Sequence, residues 1–121
     1  MATTYRLLGP GDLDRLVQLL IEWHQREGRS FDGANARRHL ARLLGDSRAG
    51  HAWIIEQNAV PAGYAVLTFS RAATGLQPRA YLTGLYLIPE LRGWGIGRRT
   101  ERFVREVGAW LRVPVHSFET A

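Results

Sequence analysis

Residues Glu90 to Thr100 read ELRGWGIGRRT, with glycine at positions 93, 95 and 97 and arginine at 92, 98 and 99. Glycine loses more backbone freedom on ordering than any other residue, so a cluster of three asks for a cause. One cause is anion binding. Successive backbone N–H groups in such a loop converge on a point, and a following helix adds unpaired donors and a partial positive charge. Without a Cβ the ligand can approach the backbone, and Arg92, Arg98 and Arg99 add charge at the mouth. A P-loop is excluded, because Gly97 is followed by Arg98 and Arg99 and not by Lys and Ser/Thr. The G-x-G-x-x-G dinucleotide pattern fails as well: counting from Gly93 puts Arg98 in the third place, and from Gly95 puts Thr100 there. What remains is a strand, Pro89, then Arg92-x-x-Gly95-x-Gly97 entering a helix, a setting suited to a pyrophosphate. The blander alternative is a flexible strand-to-helix connection.

The elements that must hold this loop follow from the apolar period. Tyr5–Leu8 reads as a short strand. Asp12 is placed to cap a helix with Leu13, Leu16, Val17, Leu20 and His24 on one face and Gly28 at its end. A second helix spans Asn35 to Leu44, with Ala36, Leu40, Leu43 and Leu44 inward and Gly45 as its stop. The segments HAWIIE and AGYAVLTFSR are short and rich in β-formers, and form a hairpin around QNAVP. AYLTGLYLIP is a third such strand, ended by Pro89. After the glycines, Phe103, Val104, Val107, Trp110 and Leu111 mark a helix face, and VPVHSFE is a last strand from Pro114. The order is β-α-α-β-β-β-α-β. The last strand–helix–strand unit is a parallel crossover and the hairpin is antiparallel, so the sheet is mixed α/β and a doubly wound parallel sheet is disfavoured.

At 121 residues, the chain fits a single domain over residues 1–121. Its 45% hydrophobic and 22% charged residues suit a folded globular chain. No apolar run approaches the ~18–20 residues of a membrane span, and MATTYRLLGP is not a signal peptide. The absence of cysteine rules out disulfides, zinc thiolate sites and a cysteine nucleophile, and fits the cytoplasm. No metal site is assigned. All 16 basic residues are arginine, which reads first as codon usage; the net charge of +5 favours a polyanionic partner.

The stretch LYLIPELRGWGIGRR resembles the central motif of the GNAT N-acetyltransferase superfamily, and the strand, two helices and hairpin upstream resemble its usual lead-in. The resemblance implies an acyl-CoA N-acyltransferase-like fold and an enzyme using acetyl-coenzyme A. It implies that the pyrophosphate is held by Arg92, Gly93, Trp94, Gly95, Ile96, Gly97 and Arg98, largely through backbone N–H groups. The backbone of Leu85, Tyr86 and Leu87 would pair with the pantetheine arm. Strands Tyr81–Leu87 and Val115–Glu119 would splay to admit the thioester, and a primary amine of unspecified identity would attack it in a ternary complex. Glu119, near that slot, is the first candidate base; its alternative is a solvated residue beside a chain end.

Departures from the family pattern matter as much. Many relatives carry acidic residues where this chain has Thr83 and Gly84. The helix after the loop opens RRTERF where relatives often have two leucines, so Thr100 and Glu101 should weaken its first turn. Relatives continue past the last strand with another helix and strands, often supplying a tyrosine general acid. Here the sequence ends at Ala121, which leaves three alternatives: truncation, a tail missing from this sequence, or a second copy supplying the segment, with a homodimer expected through the exposed last strand. Glu22, Trp23 and His24 lie where relatives shape the acceptor pocket, although Trp23 and His24 read first as core or rim. Two rival functions stand beside the enzyme: a coenzyme A-binding module without turnover, and, more weakly, a nucleic-acid-binding protein using Arg98, Arg99, Arg102 and Arg105.

Overall fold

The computed structural model describes residues 2–70 and 79–117. Among these, the strands are β1 (Thr3–Leu7), β2 (Gly50–Gln57), β3 (Val60–Ser70), β4 (Arg79–Leu87) and β5 (Val115–Ser117). The helices are α1 (Leu13–Arg26), α2 (Gly33–Gly45) and α3 (Ile96–Trp110), and their order along the chain is the expected β-α-α-β-β-β-α-β. One five-stranded sheet runs β1-β2-β3-β4-β5. The first four strands are antiparallel to their neighbours and β5 is parallel to β4, so the sheet is mixed.

Both faces of the sheet are covered, because alternate side chains of a strand point to opposite faces. Ala52, Ile54, Val66 and Tyr86 pack with Leu16, Leu20, Trp23, Leu40 and other residues of α1 and α2. Their neighbours Trp53, Ala65 and Leu67 pack on the other side with Ala80, Leu82, Val104 and Val115. In α1, the buried residues Leu13, Leu16, Val17, Leu20 and Trp23 form one helical stripe. Trp23 is therefore core. His24, read as part of the inward face, is half-buried, with Nδ1 2.7 Å from the Leu20 carbonyl.

Several local expectations are corrected. Asp12 stands at the N-cap position of α1, as expected, but its side chain makes no capping hydrogen bond. A 3-10 turn at Pro10–Asp12 precedes the helix, and the Asp12 carboxylate accepts from the Gly9 N–H and from Arg6. The Arg6 guanidinium, helped by that N–H, holds the Asp12 carboxyl below its ordinary pKa. Helix α2 begins earlier than expected, at Gly33, because Asp32 caps it by accepting from the Asn35 N–H at 3.0 Å. Gly28 does end α1, with φ of 71° and its N–H on the Gln25 carbonyl. The hairpin turn is Asn58–Ala59, both with positive φ, as two-residue hairpin loops of this kind require.

The inward face of α3 is also shifted. Ile96, Thr100, Val104 and Gly108 are buried, Phe103 and Val107 half-buried, while Trp110 is 84% exposed and Leu111 lies outside the core. Residue 110 stands roughly 200° around the helix from residue 108, which points away from the sheet. Gly108 sets that register, since a Cβ there would lie 2.3 Å from Val115 Cγ2. Thr100 is not a weak point: its fully buried hydroxyl donates to the Ile96 carbonyl at 2.8 Å and lies 3.0 Å from Tyr5 Oη. The Tyr5 ring in turn stacks on Phe103 at 4.3 Å.

Candidate functional site

β4 ends at Leu87, and Ile88 leads into a 3-10 turn at Pro89–Leu91. Arg92 is extended, Gly93 has φ of 87°, and Gly95 has φ of 79° as the N-cap of α3. Left-handed backbone at two alternate positions is available to glycine at little cost, which explains Gly93 and Gly95. Gly97 is different. Its φ lies outside that region and a Cβ placed on it would meet nothing within 4 Å. Neither backbone strain nor packing within the described residues asks for glycine there. The second residue of the helix is therefore bare of side chain and open to its surroundings.

The donors facing that space are those of a helix start. The first bond across the helix origin is from the Arg99 N–H to the Gly95 carbonyl at 3.1 Å. The N–H groups of Ile96, Gly97 and Arg98 have no helical acceptor ahead of them. The Ile96 side chain is buried, so only its backbone faces outward, whereas Trp94 is 63% exposed and Arg98 and Arg99 are exposed. This donor set and clearance fit an oxyanion such as a pyrophosphate.

The strand leading to the loop also has an outer edge that lacks a strand partner over part of its length among the described residues. β5 pairs with β4 only at Ala80, Leu82 and the intervening Tyr81. On its other side β4 remains paired to β3 as far as Leu87. From Thr83 to Leu87 the outer edge of β4 thus has no strand partner among the described residues. Leu85 is exposed, Tyr86 buried and Leu87 half-buried. Glu119 lies outside the described residues, and His116 is exposed, its ring 5.6 Å from that of Tyr81.

Arg92 does not extend over the loop. Its guanidinium donates to both oxygens of Glu27, at 2.9 and 3.1 Å, and its Nε donates to the Leu87 carbonyl at 3.0 Å. Tyr86 Oη donates to the same carboxylate, and Arg29 adds a third donor. Arg92, then Tyr86, hold the Glu27 carboxyl down at about 2, against an ordinary value of 4.5. Such a group takes up a proton poorly near neutrality, and its contacts make Glu27 a tie between the end of α1 and the loop. Arg26 and Glu90 form a second pair, in which Nη2 of the guanidinium donates to both carboxylate oxygens at 2.9 Å. The end of α1 is thereby tied to the loop twice. The sequence gives no sign of either pair, since Glu27 and Arg92 are 65 residues apart.

On the α1–α2 side of the sheet a cleft of about 290 Å³ opens beside β4. Thr83 and Gly84 form part of its wall. The register shifts here: Val66 faces Gly84 and Leu67 faces Leu82, which leaves Thr83 as an extra residue in a β-bulge. The helical wall comes from Leu20 of α1 and from Asn35, Ala36, His39 and Leu40 of α2, with Phe31 and Asp32 just before α2; Glu22 and Trp23 line a separate, more open cavity of about 550 Å³ with Leu19, Gln25 and Arg26.

The family model described as Acetyltransferase (GNAT) family matches residues 17–109, more than half of the chain. The chain belongs to the GNAT acetyltransferase family. Its fold is similar to an integron cassette protein from the mobile metagenome of Cole Harbour Salt Marsh, at 28% identity and a TM-score of 0.82 over 96% of this chain and 76% of the other. It is similar in fold to a predicted acetyltransferase with acetyl-CoA from Clostridium acetobutylicum, at 18% identity and a TM-score of 0.76 over 97% and 80% of the two chains. A third likeness is to an aminoglycoside N-acetyltransferase in complex with CoA, at 15% identity and a TM-score of 0.73 over 98% and 78%. No curated protein sequence matches the chain. No helix among the described residues is long and apolar enough to cross a membrane.

Proposed function

We propose that this member of the family transfers an acetyl group from acetyl-coenzyme A to a primary amine. The observation that carries the reading is the glycine-rich start of α3: left-handed Gly93 and Gly95 turn the chain into a helix whose first N–H groups have no acceptor ahead of them, with open space beside Gly97. Backbone N–H groups from Gly93 to Arg98 would hold the pyrophosphate, and the outer β4 edge at Leu85–Leu87, without a strand partner among the described residues, would take the pantetheine arm as a neighbouring strand. Bound there, acetyl-coenzyme A would supply a thioester whose carbonyl carbon accepts the amine nitrogen as the C–S bond breaks, the proton that the nitrogen sheds on becoming an amide passing to the departing thiolate. A backbone N–H of the same β4 edge is suited to the oxyanion. The amine must arrive neutral, so an alkylammonium near pKa ~10 gives up its proton to a base or to water. Glu27 and Arg92 position the loop.

A second reading, a coenzyme A-binding module of the same fold without turnover, is favoured by one observation: Thr83 and Gly84 stand beside the cleft without a carboxylate. Release of free thiol from acetyl-coenzyme A, followed over a panel of primary amines, separates the two. The enzyme reading expects amine-dependent thiol release; tight cofactor binding with release at the no-amine rate supports the module.

A further inference from the structure

Strand β1 has no strand partner on its outer side among the described residues. Its sequence, TTYRL, carries few of the devices that usually blunt such an edge: it has no proline, no lysine and no bulge in its register with β2. Its single charge, Arg6, is already met by Asp12 and Glu56. The Leu8 N–H and the Ala2 carbonyl both turn toward β2. Backbone groups alternate in direction along an antiparallel strand, so the N–H and C=O groups of Thr3, Tyr5 and Leu7 point outward.

The side chains beside that edge are apolar and incompletely covered. Leu7 is 58% exposed, and Trp110 is exposed further still. Tyr5 stacks on Phe103, and Trp53, the register partner of Leu7, packs edge-on against the same ring. Trp110 follows Phe103 by about two turns of α3, and so shares its side of the helix. Arg99 precedes Phe103 by about one turn and Glu106 follows it by about one. Both are exposed, with no ion-pair partner among the described residues.

An occupant of this surface has to bond the outward backbone groups, cover Leu7 and Trp110, and meet opposite charges on either side of Phe103. A second copy related by a two-fold axis at Tyr5 does all three. Antiparallel pairing centred there sets Tyr5 against Tyr5, and Thr3 against Leu7 of the other copy, so each outward N–H finds a carbonyl. Arg6 then falls opposite Thr4; a centre one residue further along would oppose Arg6 to itself. The same axis reverses α3, which turns the Arg99 end of one helix toward the Glu106 end of the other.

We propose that this surface is a two-fold interface between copies of the chain, with β1 joined to β1 in one continuous sheet and Leu7 and Trp110 of both copies closing over the seam. The homodimer expected through the last strand is thereby assigned to the first, independently of the acetyl-transfer reading. Amide hydrogen exchange of the wild-type chain, followed by NMR from micromolar to submillimolar concentration, tests it without any substitution. The Thr3, Tyr5 and Leu7 amides are expected to gain protection as concentration rises, while Thr4 and Arg6, turned toward β2, stay constant. Protection of those three that does not depend on concentration overturns the proposal. Sedimentation equilibrium should approach twice the 13.6 kDa of the chain; a monomer throughout overturns it as well. Leu7→Lys and Trp110→Ala alter exposed side chains and are each expected to weaken association about tenfold. Association unchanged in both means that another face is used and overturns the assignment. Arg99→Glu and Glu106→Arg should each weaken it about fivefold, and the two together should restore it. A double variant no tighter than the singles overturns the two-fold arrangement.

Discussion

Glu27 shows how a single side chain can be structural although it sits beside a candidate active site. Its folded pKa of about 2 lies below the ordinary 4.5, so the ionised form is favoured by folding. The clamp's contribution to stability is therefore whole above about pH 4.5 and is lost as pH falls from there toward 2. Thermal melts of the wild type and Glu27→Gln should differ above pH 5 and converge on acidification; a difference that is constant from pH 7 to pH 2 contradicts the clamp. At this scale the glycines were legible, because their spacing constrains the backbone directly. The partner of Arg92 was not, because an ion pair between residues 65 apart leaves no local pattern. The sequence reading put the Arg92 charge at the loop mouth, whereas the guanidinium is turned to Glu27 and the Leu87 carbonyl.

The elements were legible in kind and order because period two and period 3.6 separate cleanly in this chain. Their faces were less so. The face of α3 was misjudged at Trp110 because apolar type alone gave no weight to Gly108, the residue that lets the helix sit close to β5. Gly108→Ala places a methyl against Val115 and the Val113 carbonyl, and is expected to cost about 1–3 kcal/mol despite alanine's better helix propensity. A melting temperature equal to or above wild type contradicts this packing. The β2–β3 turn offers the opposite change. Ala59 sits at φ of 67°, where an L-residue with a Cβ is strained by about 1–2 kcal/mol. Ala59→Gly makes an Asn-Gly turn and should raise stability by about 1 kcal/mol in urea unfolding; a loss of stability shows that the turn is not left-handed in solution.

In the whole molecule, β4 runs from the cleft to the glycine-rich loop. Its Thr83–Gly84 bulge walls the cleft, and its end, Leu85–Leu87, leads to the glycine loop. Both faces of the sheet are buried under helices, so this strand is held rigidly between them. The mixed sheet and the place of the loop were legible from the strand–loop–helix–strand unit. The cleft was not, because it is built from residues on α1, the α1–α2 connection, α2, β3 and β4, which no local spacing brings together. The central claim is that the loop is an acetyl-coenzyme A cradle, and Gly97 tests it most directly. Gly97→Glu meets open space and places an acidic residue in the first turn of α3, so the fold should be kept or slightly stabilised. The added carboxylate should nevertheless repel a bound pyrophosphate. Calorimetric titration with acetyl-coenzyme A is expected to show binding to the wild type and at least a hundredfold loss in Gly97→Glu at unchanged melting temperature. Equal affinity of the two proteins, or no binding to folded wild type at millimolar cofactor, contradicts the account.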